Sequence, residues 1–138
     1  MEADRERLAD TRDWLVKAAR DLRAAEVLMA GSEPLADTAA FHAQQAAEKS
    51  LKAFLHWHDV PFRKTHELEE LGRACTELDA SLENVVDPVL DLTPFAWRFR
   101  YPGEPSLPGV DEVKDALGRA RAVHDAVRER LPSGARPG

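Results

Sequence analysis

The chain of 138 residues has a single cysteine, Cys75, and no long apolar run. One cysteine excludes an internal disulfide and a zinc site built on several cysteines, which is compatible with a reducing compartment. No window reaches the roughly 18 apolar residues of a membrane span, and the charged start MEADRERLAD is unlike a signal peptide. We therefore expect a cytoplasmic protein that makes no use of a membrane.

Positive charge is also scarce. Lysine and arginine total 19 against 25 aspartate and glutamate residues, for a net charge of −6 and a pI near 5.4. A surface with this balance repels nucleic acid and anionic lipid as a whole. A site for an anion must therefore be a local patch of cations.

Signals for strands, phosphate loops and metal sites are missing as well. No stretch alternates with period two, and no glycine-rich phosphate loop or internal repeat is present. His56 and His58 would point about 200° apart on a helix, so they cannot share an ion. We expect no metal and no cofactor.

Apolar residues instead recur at helical spacing along most of the chain. The length suits one domain. The pattern predicts an all-α fold, an up-and-down bundle of four to five helices in a single domain over residues 1–138. Its core covers about residues 12–131, and the tail 132–138 is expected to be disordered.

The first helix is expected to start at a cap formed by Asp10 or Thr11. A second, central helix covers residues 35–58, and a third covers residues 67–78 with Thr65 as its N-cap.

Two prolines, Pro88 and Pro94, should kink or restart the helix within residues 81–101. After a proline-rich loop the last helix opens near Asp111. Cys75 and His124 lie on apolar stripes of their helices, so both are interpreted as core residues, His124 with a hydrogen-bond partner.

The second helix has two contrasting faces. Its expected core stripe is rich in alanine: Ala40, Ala43, Ala47, Leu51 and Phe54. The opposite arc of roughly 80° gathers polar side chains: His42, Gln45, Lys49, Lys52 and His56. Three interpretations stay open for this polar face, namely a solvated surface, a ligand site, or a seam between subunits.

The stretch KTHELEEL places Lys64 and His66 at the start of the third helix. Free backbone N–H groups and the positive end of the helix dipole favour a phosphate there. The alternative is that His66 only packs against the helix or caps it.

The stretch WRFRYPG places Arg98, Arg100 and Tyr101 near the proline-rich loop. Guanidinium groups bind phosphate in a bidentate manner, and tyrosine can stack on a base. The alternative is that Phe99 and Tyr101 anchor the chain while both arginines stay on the surface.

Three stretches, AAFHAQQAAEKSLKAFL, KTHELEEL and RFRYP, together resemble the HEPN family, the higher eukaryote and prokaryote nucleotide-binding domains. The resemblance covers residues 14–131, and Arg100, Tyr101 and Pro102 are similar to the signature of an RYP branch. It implies a helical bundle, usually a homodimer, that binds a nucleotide or RNA. Such proteins are often encoded beside a minimal nucleotidyltransferase, and in some branches the pair forms a toxin–antitoxin system.

Many HEPN proteins are metal-independent ribonucleases that use an arginine and a histidine four to six residues beyond it. Arg119 and His124 match this spacing. However, Ala120 stands where those nucleases usually have a polar residue, and positions 119 and 124 lie roughly 140° apart on a helix.

The leading hypothesis is a HEPN protein that binds a nucleotide or RNA in a local basic groove, beside a minimal nucleotidyltransferase partner. The predicted binding residues are His42, Gln45, Lys49, Lys52, Lys64, His66, Arg98, Arg100 and Tyr101. One alternative is a ribonuclease toxin with His66 or His124 as the general acid or base and Arg119 as a candidate catalytic residue. The other is a non-catalytic module for protein interaction.

Overall fold

A computed structural model describes residues 2–99, 102 and 107–137 of the chain. Within these residues the chain forms five α-helices: α1 (Glu2–Ala30), α2 (Ala36–Trp57), α3 (Leu68–Leu78), α4 (Glu83–Val86) and α5 (Val110–Arg130). Three 3-10 segments complete the fold: Ala80–Leu82, Asp87–Ala96 and Ser133–Ala135. The described part contains no strand, which confirms the all-α prediction. None of its helices is both long and apolar enough to cross a membrane.

Helix α2 is the central element, as predicted. It contacts α1, α3, α5 and the 3-10 segment Asp87–Ala96. Every residue of its predicted core stripe is buried: Ala40, Ala43, Ala47, Leu51 and Phe54. Because alanine side chains are short, neighbouring helices can approach this stripe closely.

Helix α1 begins at Glu2, so the predicted start near residue 10 is wrong. Thr11 is buried, and its hydroxyl donates to the Arg7 carbonyl at 2.7 Å, which is a bond of a helix interior and not a cap. The added N-terminal turns carry Leu8, which packs against the core.

The chain beyond α5 also differs from the expectation of a disordered tail. Residues Ser133–Ala135 form a 3-10 turn, Ala135 is fully buried, and the α-carbon of Gly134 lies against Leu8 of α1. The Arg136 Nε atom donates to the Leu131 carbonyl at 3.0 Å. The partner of this tail is the first part of α1, so its order depends on contacts between the two ends of the chain.

The prolines interrupt the helix as predicted. Helix α4 ends at Val86, and the following 3-10 segment has Pro88 in its first turn and Pro94 in its interior. Val89, Leu92 and Phe95 of this segment are buried. The residues therefore keep their apolar face in the core although the α-helix cannot continue.

Helix α3 is capped differently from the prediction. Thr65 accepts a hydrogen bond from the Glu67 N–H at 3.0 Å, one residue before the helix. The first helical N–H, on Leu68, donates instead to the Thr93 hydroxyl at 3.0 Å. The cap is supplied by a segment 25 residues away, which helix-start signals in the local sequence could not indicate.

Cys75 is a core residue, as predicted. Its side chain is fully buried, and Sγ lies 3.5 Å from the Leu51 carbonyl. Burial raises the pKa of this thiol to about 12, because a thiolate would lose its hydration. Cys75 is thus a packing residue and not a nucleophile.

Gly72 lies where α3 packs tightly against neighbouring segments. A β-carbon at this position would lie 2.6 Å from Val86 Cγ1 and 3.2 Å from Leu90 Cδ2. We expect Gly72→Ala to reduce the free energy of unfolding by about 1–3 kcal/mol through overpacking. Denaturant unfolding followed by circular dichroism measures this change.

Gly118 in α5 is the matched control, because a β-carbon there would meet nothing within 4 Å. Gly118→Ala should raise the free energy of unfolding by about 0.5–1 kcal/mol through helix propensity. Equal stabilisation by both substitutions would contradict the close packing inferred at Gly72.

Candidate functional site

The polar face of α2 lies largely inside the protein. Gln45 and Lys52 are only 8% and 7% exposed, while His42, Lys49 and His56 are half-buried. The solvated interpretation of this face is therefore wrong. These side chains meet α1 and the connection between α2 and α3, and two buried carboxylates organise them.

The first carboxylate is Asp21 of α1, which is 8% exposed. His42 Nδ1 lies 2.8 Å from Asp21 Oδ1, and Lys49 Nζ donates to Oδ2 at 2.6 Å. The two α2 residues are seven positions apart, about two helical turns, so they share a face. Asp21 thus joins α1 to α2 and neutralises Lys49, a predicted phosphate ligand.

The second carboxylate is Glu48 of α2, whose side chain is 4% exposed. Lys52 Nζ donates to its Oε2 at 2.9 Å. Its Oε1 lies 2.7 Å from His66 Nδ1 and accepts longer bonds from the Gln44 and Gln45 amides at 3.3 and 3.4 Å. Burial of a carboxylate is tolerated only when such donors replace water.

His66 is held on one edge and open on the other. Its side chain is 60% exposed although Nδ1 contacts the buried Glu48, and the Gln44 amide donates to its carbonyl at 3.1 Å. A carboxylate at Nδ1 selects the tautomer with the proton on that nitrogen. The Nε2 atom of a neutral ring is then left as an acceptor that can take a proton.

Lys52 is enclosed by aromatic rings as well as by its carboxylate. Its Nζ atom lies 5.6 Å from the Trp14 ring centroid and 5.7 Å from that of Phe62. Such cation–π contacts add to the Glu48 pair. Lys52 is therefore placed to stabilise the fold and has little surface to offer a phosphate.

The remaining predicted binding residues lie at the start of α3 and the end of the 3-10 segment. Lys64 and Arg98 are exposed, and the Arg98 guanidinium lies 5.1 Å from the Phe99 ring centroid. The bond between Leu68 and Thr93 brings the α3 start beside the segment that leads to Arg98. Arg100 and Tyr101, the first two residues of the RYP signature, lie outside the described residues.

The N-terminus of α3 offers less to an anion than its sequence indicates. The N–H groups of Glu67 and Leu68 already donate to threonine hydroxyls. Glu69 and Glu70 add negative charge to the first turn. The open imidazole of His66 is therefore a stronger feature of this region than the helix end.

Arg119 and His124, which match the ribonuclease spacing, have separate partners in the structure. Arg119 Nε pairs with Asp115 at 2.8 Å, and its Nη1 donates to the Pro88 carbonyl at 2.9 Å. His124 has a side chain that is 12% exposed, and its Nδ1 lies 3.1 Å from Asp125. His124 therefore has the expected hydrogen-bond partner, but its side chain lies at the edge of the core.

The two organising carboxylates were missed by sequence reasoning. Glu48 had a usable signal, because it precedes Lys52 by four residues, the spacing of a helical ion pair. Asp21 had a weaker one, as a charged residue beside Leu22 on the buried stripe of α1. Within the described part of the chain, no group of three or more histidine, cysteine or acidic side chains is placed to hold a metal ion.

Comparison with known proteins gives a family and no individual relative. The sequence profile described as the HEPN domain matches residues 11–130. No curated protein and no solved structure matches the chain significantly. The matched range includes α2, α3, α5 and both buried carboxylates.

The burial of the Glu48–Lys52 pair predicts a large effect of removing one partner. We expect Lys52→Ala to lower the free energy of unfolding by about 3–5 kcal/mol, because Glu48 is left in a buried position without its cationic partner. Lys114→Ala at an exposed position on α5 should change it by less than about 0.5 kcal/mol. Similar unfolding curves for the two variants would show that Lys52 has no structural role.

Proposed function

Since the chain belongs to the HEPN domain family, we propose that it binds a nucleotide or a short RNA on the surface around His66. Membership supports a function related to nucleotides or RNA. The observation that carries the location is the contact of His66 Nδ1 with buried Glu48 at 2.7 Å, which leaves an exposed imidazole in a fixed orientation. A protonated imidazole held in this way can donate to a phosphate oxygen.

The cations available to a phosphate are fewer than the predicted basic groove contains. Lys49 and Lys52 are paired with Asp21 and Glu48 inside the bundle. Lys64 is exposed, and no ion pair involves it among the described residues. We therefore assign the phosphate to His66 with Lys64 and Arg98, the exposed cations of the predicted set that lie within the described residues.

Removal of the His66 imidazole together with Lys64, the cation nearest to it in sequence, tests this location. We expect His66→Ala combined with Lys64→Ala to weaken binding of AMP and of a short single-stranded RNA by about tenfold or more, because charge-assisted hydrogen bonds are lost. Isothermal titration measures the affinity.

Lys114→Ala is the control, since it removes an equal charge from α5. Circular dichroism checks that each variant is folded. Unchanged affinity in the double variant would exclude this surface as the binding site.

A ribonuclease is the second candidate, and the same Glu48–His66 contact favours it. An imidazole oriented by a carboxylate is suited to general base catalysis. His66 Nε2 would take the proton of a ribose 2′-hydroxyl while its oxygen attacks the adjacent phosphorus. The P–O5′ bond would break to give a 2′,3′-cyclic phosphate, and the leaving 5′ oxygen would take a proton from water or a protonated side chain.

The two histidine candidates can be separated by cleavage assays in the presence of a metal chelator. We expect His66→Ala to slow RNA cleavage by about 100-fold or more, because general base catalysis contributes at least this much. His124→Ala should cleave at the wild-type rate. Loss of cleavage in His124→Ala alone would place the chemistry at Arg119 and His124, and an inactive wild type would leave binding as the function.

We also propose that the protein forms a homodimer and acts with a minimal nucleotidyltransferase partner in a toxin–antitoxin system. Exposed apolar side chains on several elements, including Val27, Leu35 and Trp97, are available for contact with another chain. A nucleotidyltransferase in the neighbouring reading frame would support the pairing. Tight binding to such a partner without nucleotide binding would favour a pure interaction module.

A further inference from the structure

A concave surface that does not include His66 lies beside Lys52, the partner of Glu48. It is a depression of about 370 Å³ between α1, the end of α2 and the connection to α3. Its lining residues are Asp10, Asp13, Trp14, Lys17, His56 and Phe62. The volume is at the lower end of the range for small-molecule sites, which suits a single base or nucleoside.

Two aromatic rings form one wall of this depression. The centroids of Trp14 and Phe62 lie 6.0 Å apart, with their planes at 68°. Lys52, fixed by Glu48, lies within 6 Å of both centroids. Contact with an ammonium group that is itself paired restricts both rings, which lowers the entropy that is lost when a planar ligand packs against them.

The charges at the rim select among planar ligands. Asp10 Oδ2 lies 3.5 Å from His56 Nε2, and Asp13 adds a second exposed carboxylate. Two carboxylates disfavour a phosphate at this place. Lys17 at the rim and Lys52 behind the rings disfavour a guanidinium or ammonium ligand. A neutral ring with hydrogen-bond donors satisfies both conditions.

We infer that this depression binds the base of a nucleotide or of single-stranded RNA, with a preference for bases that carry an amino group. The ring packs against Trp14 and Phe62, and the amino group donates to Asp13, since Asp10 already faces His56. Carboxylates accept in the same way from the amino group of cytosine in the grooves of DNA. This inference rests on the proposed function, because it assigns the base to one surface and the phosphate to another.

The connection between α2 and α3 links the two surfaces. Phe62 and His66 are four residues apart, so their α-carbons are separated by at most about 14 Å. Lys52 and Glu48 join the same two residues through the interior. This upper limit allows a base at Phe62 and a phosphate near His66 to belong to one short oligonucleotide and, at shorter separations, to one nucleotide.

Titration with AMP, CMP and UMP tests the inference, because only the base differs. We expect AMP and CMP to bind the full-length wild type about tenfold more tightly than UMP, whose base has no amino group. Trp14→Leu should weaken AMP and CMP binding about tenfold or more through lost stacking. Asp13→Asn, at an exposed position, should bring the three affinities together, whereas Asp111→Asn on α5 should preserve the difference.

The results of these titrations distinguish the base site at Trp14 and Phe62 from the phosphate site at His66. Equal affinities for the three nucleotides, unchanged in Trp14→Leu and Asp13→Asn but reduced in His66→Ala, would overturn the base site and keep the phosphate site. Absence of binding of any nucleotide or RNA to the wild type would overturn both. If Trp14→Leu does not fold, the Asp13→Asn comparison decides alone. A preference for oligocytidine over oligouridine without a matching preference among mononucleotides would assign the site to RNA.

Discussion

The burial of the Glu48 carboxylate is the constraint on which the candidate site depends. A carboxylate that is 4% exposed must receive hydrogen bonds from the protein in place of water. Gln44, Gln45 and Lys52 supply some of them from the same helix. The remaining donor, His66, comes from outside α2, so the need of one carboxylate fixes the position of the connection to α3 and the orientation of its imidazole.

Asp21 acts in the same way between α1 and α2, where it contacts both His42 and Lys49. The two carboxylates therefore pair the lysines of the polar α2 face within the protein. For an acidic chain with few cations, this pairing decides where an anion can bind, because a paired and buried lysine offers little to a phosphate. Among the predicted cations of the described residues, those that remain exposed are Lys64, two residues before His66 in the chain, and Arg98.

Much of the fold was predictable, because the apolar spacing records which side of each helix faces the core. The alanine stripe of α2, the interruption at Pro88 and Pro94, and the burial of Cys75 all follow from local chemistry. Local chemistry did not predict the start of α1, the cap of α3 or the order of the C-terminal tail. Each depends on a contact with a distant residue: Leu8 with Gly134, and Leu68 with Thr93.

For the candidate site, the sequence by itself determined the polar residues on one face of α2, the presence of His66, and the likeness to the HEPN family that the profile match confirms. Helical periodicity and residue type are sufficient for these, since both are local. Only the tertiary structure decided that the polar face is buried, that Asp21 and Glu48 organise it, and that Trp14 and Phe62 meet beside Lys52. Such pairings join α1, α2 and the connection to α3, and their partners are set by how these elements pack in space.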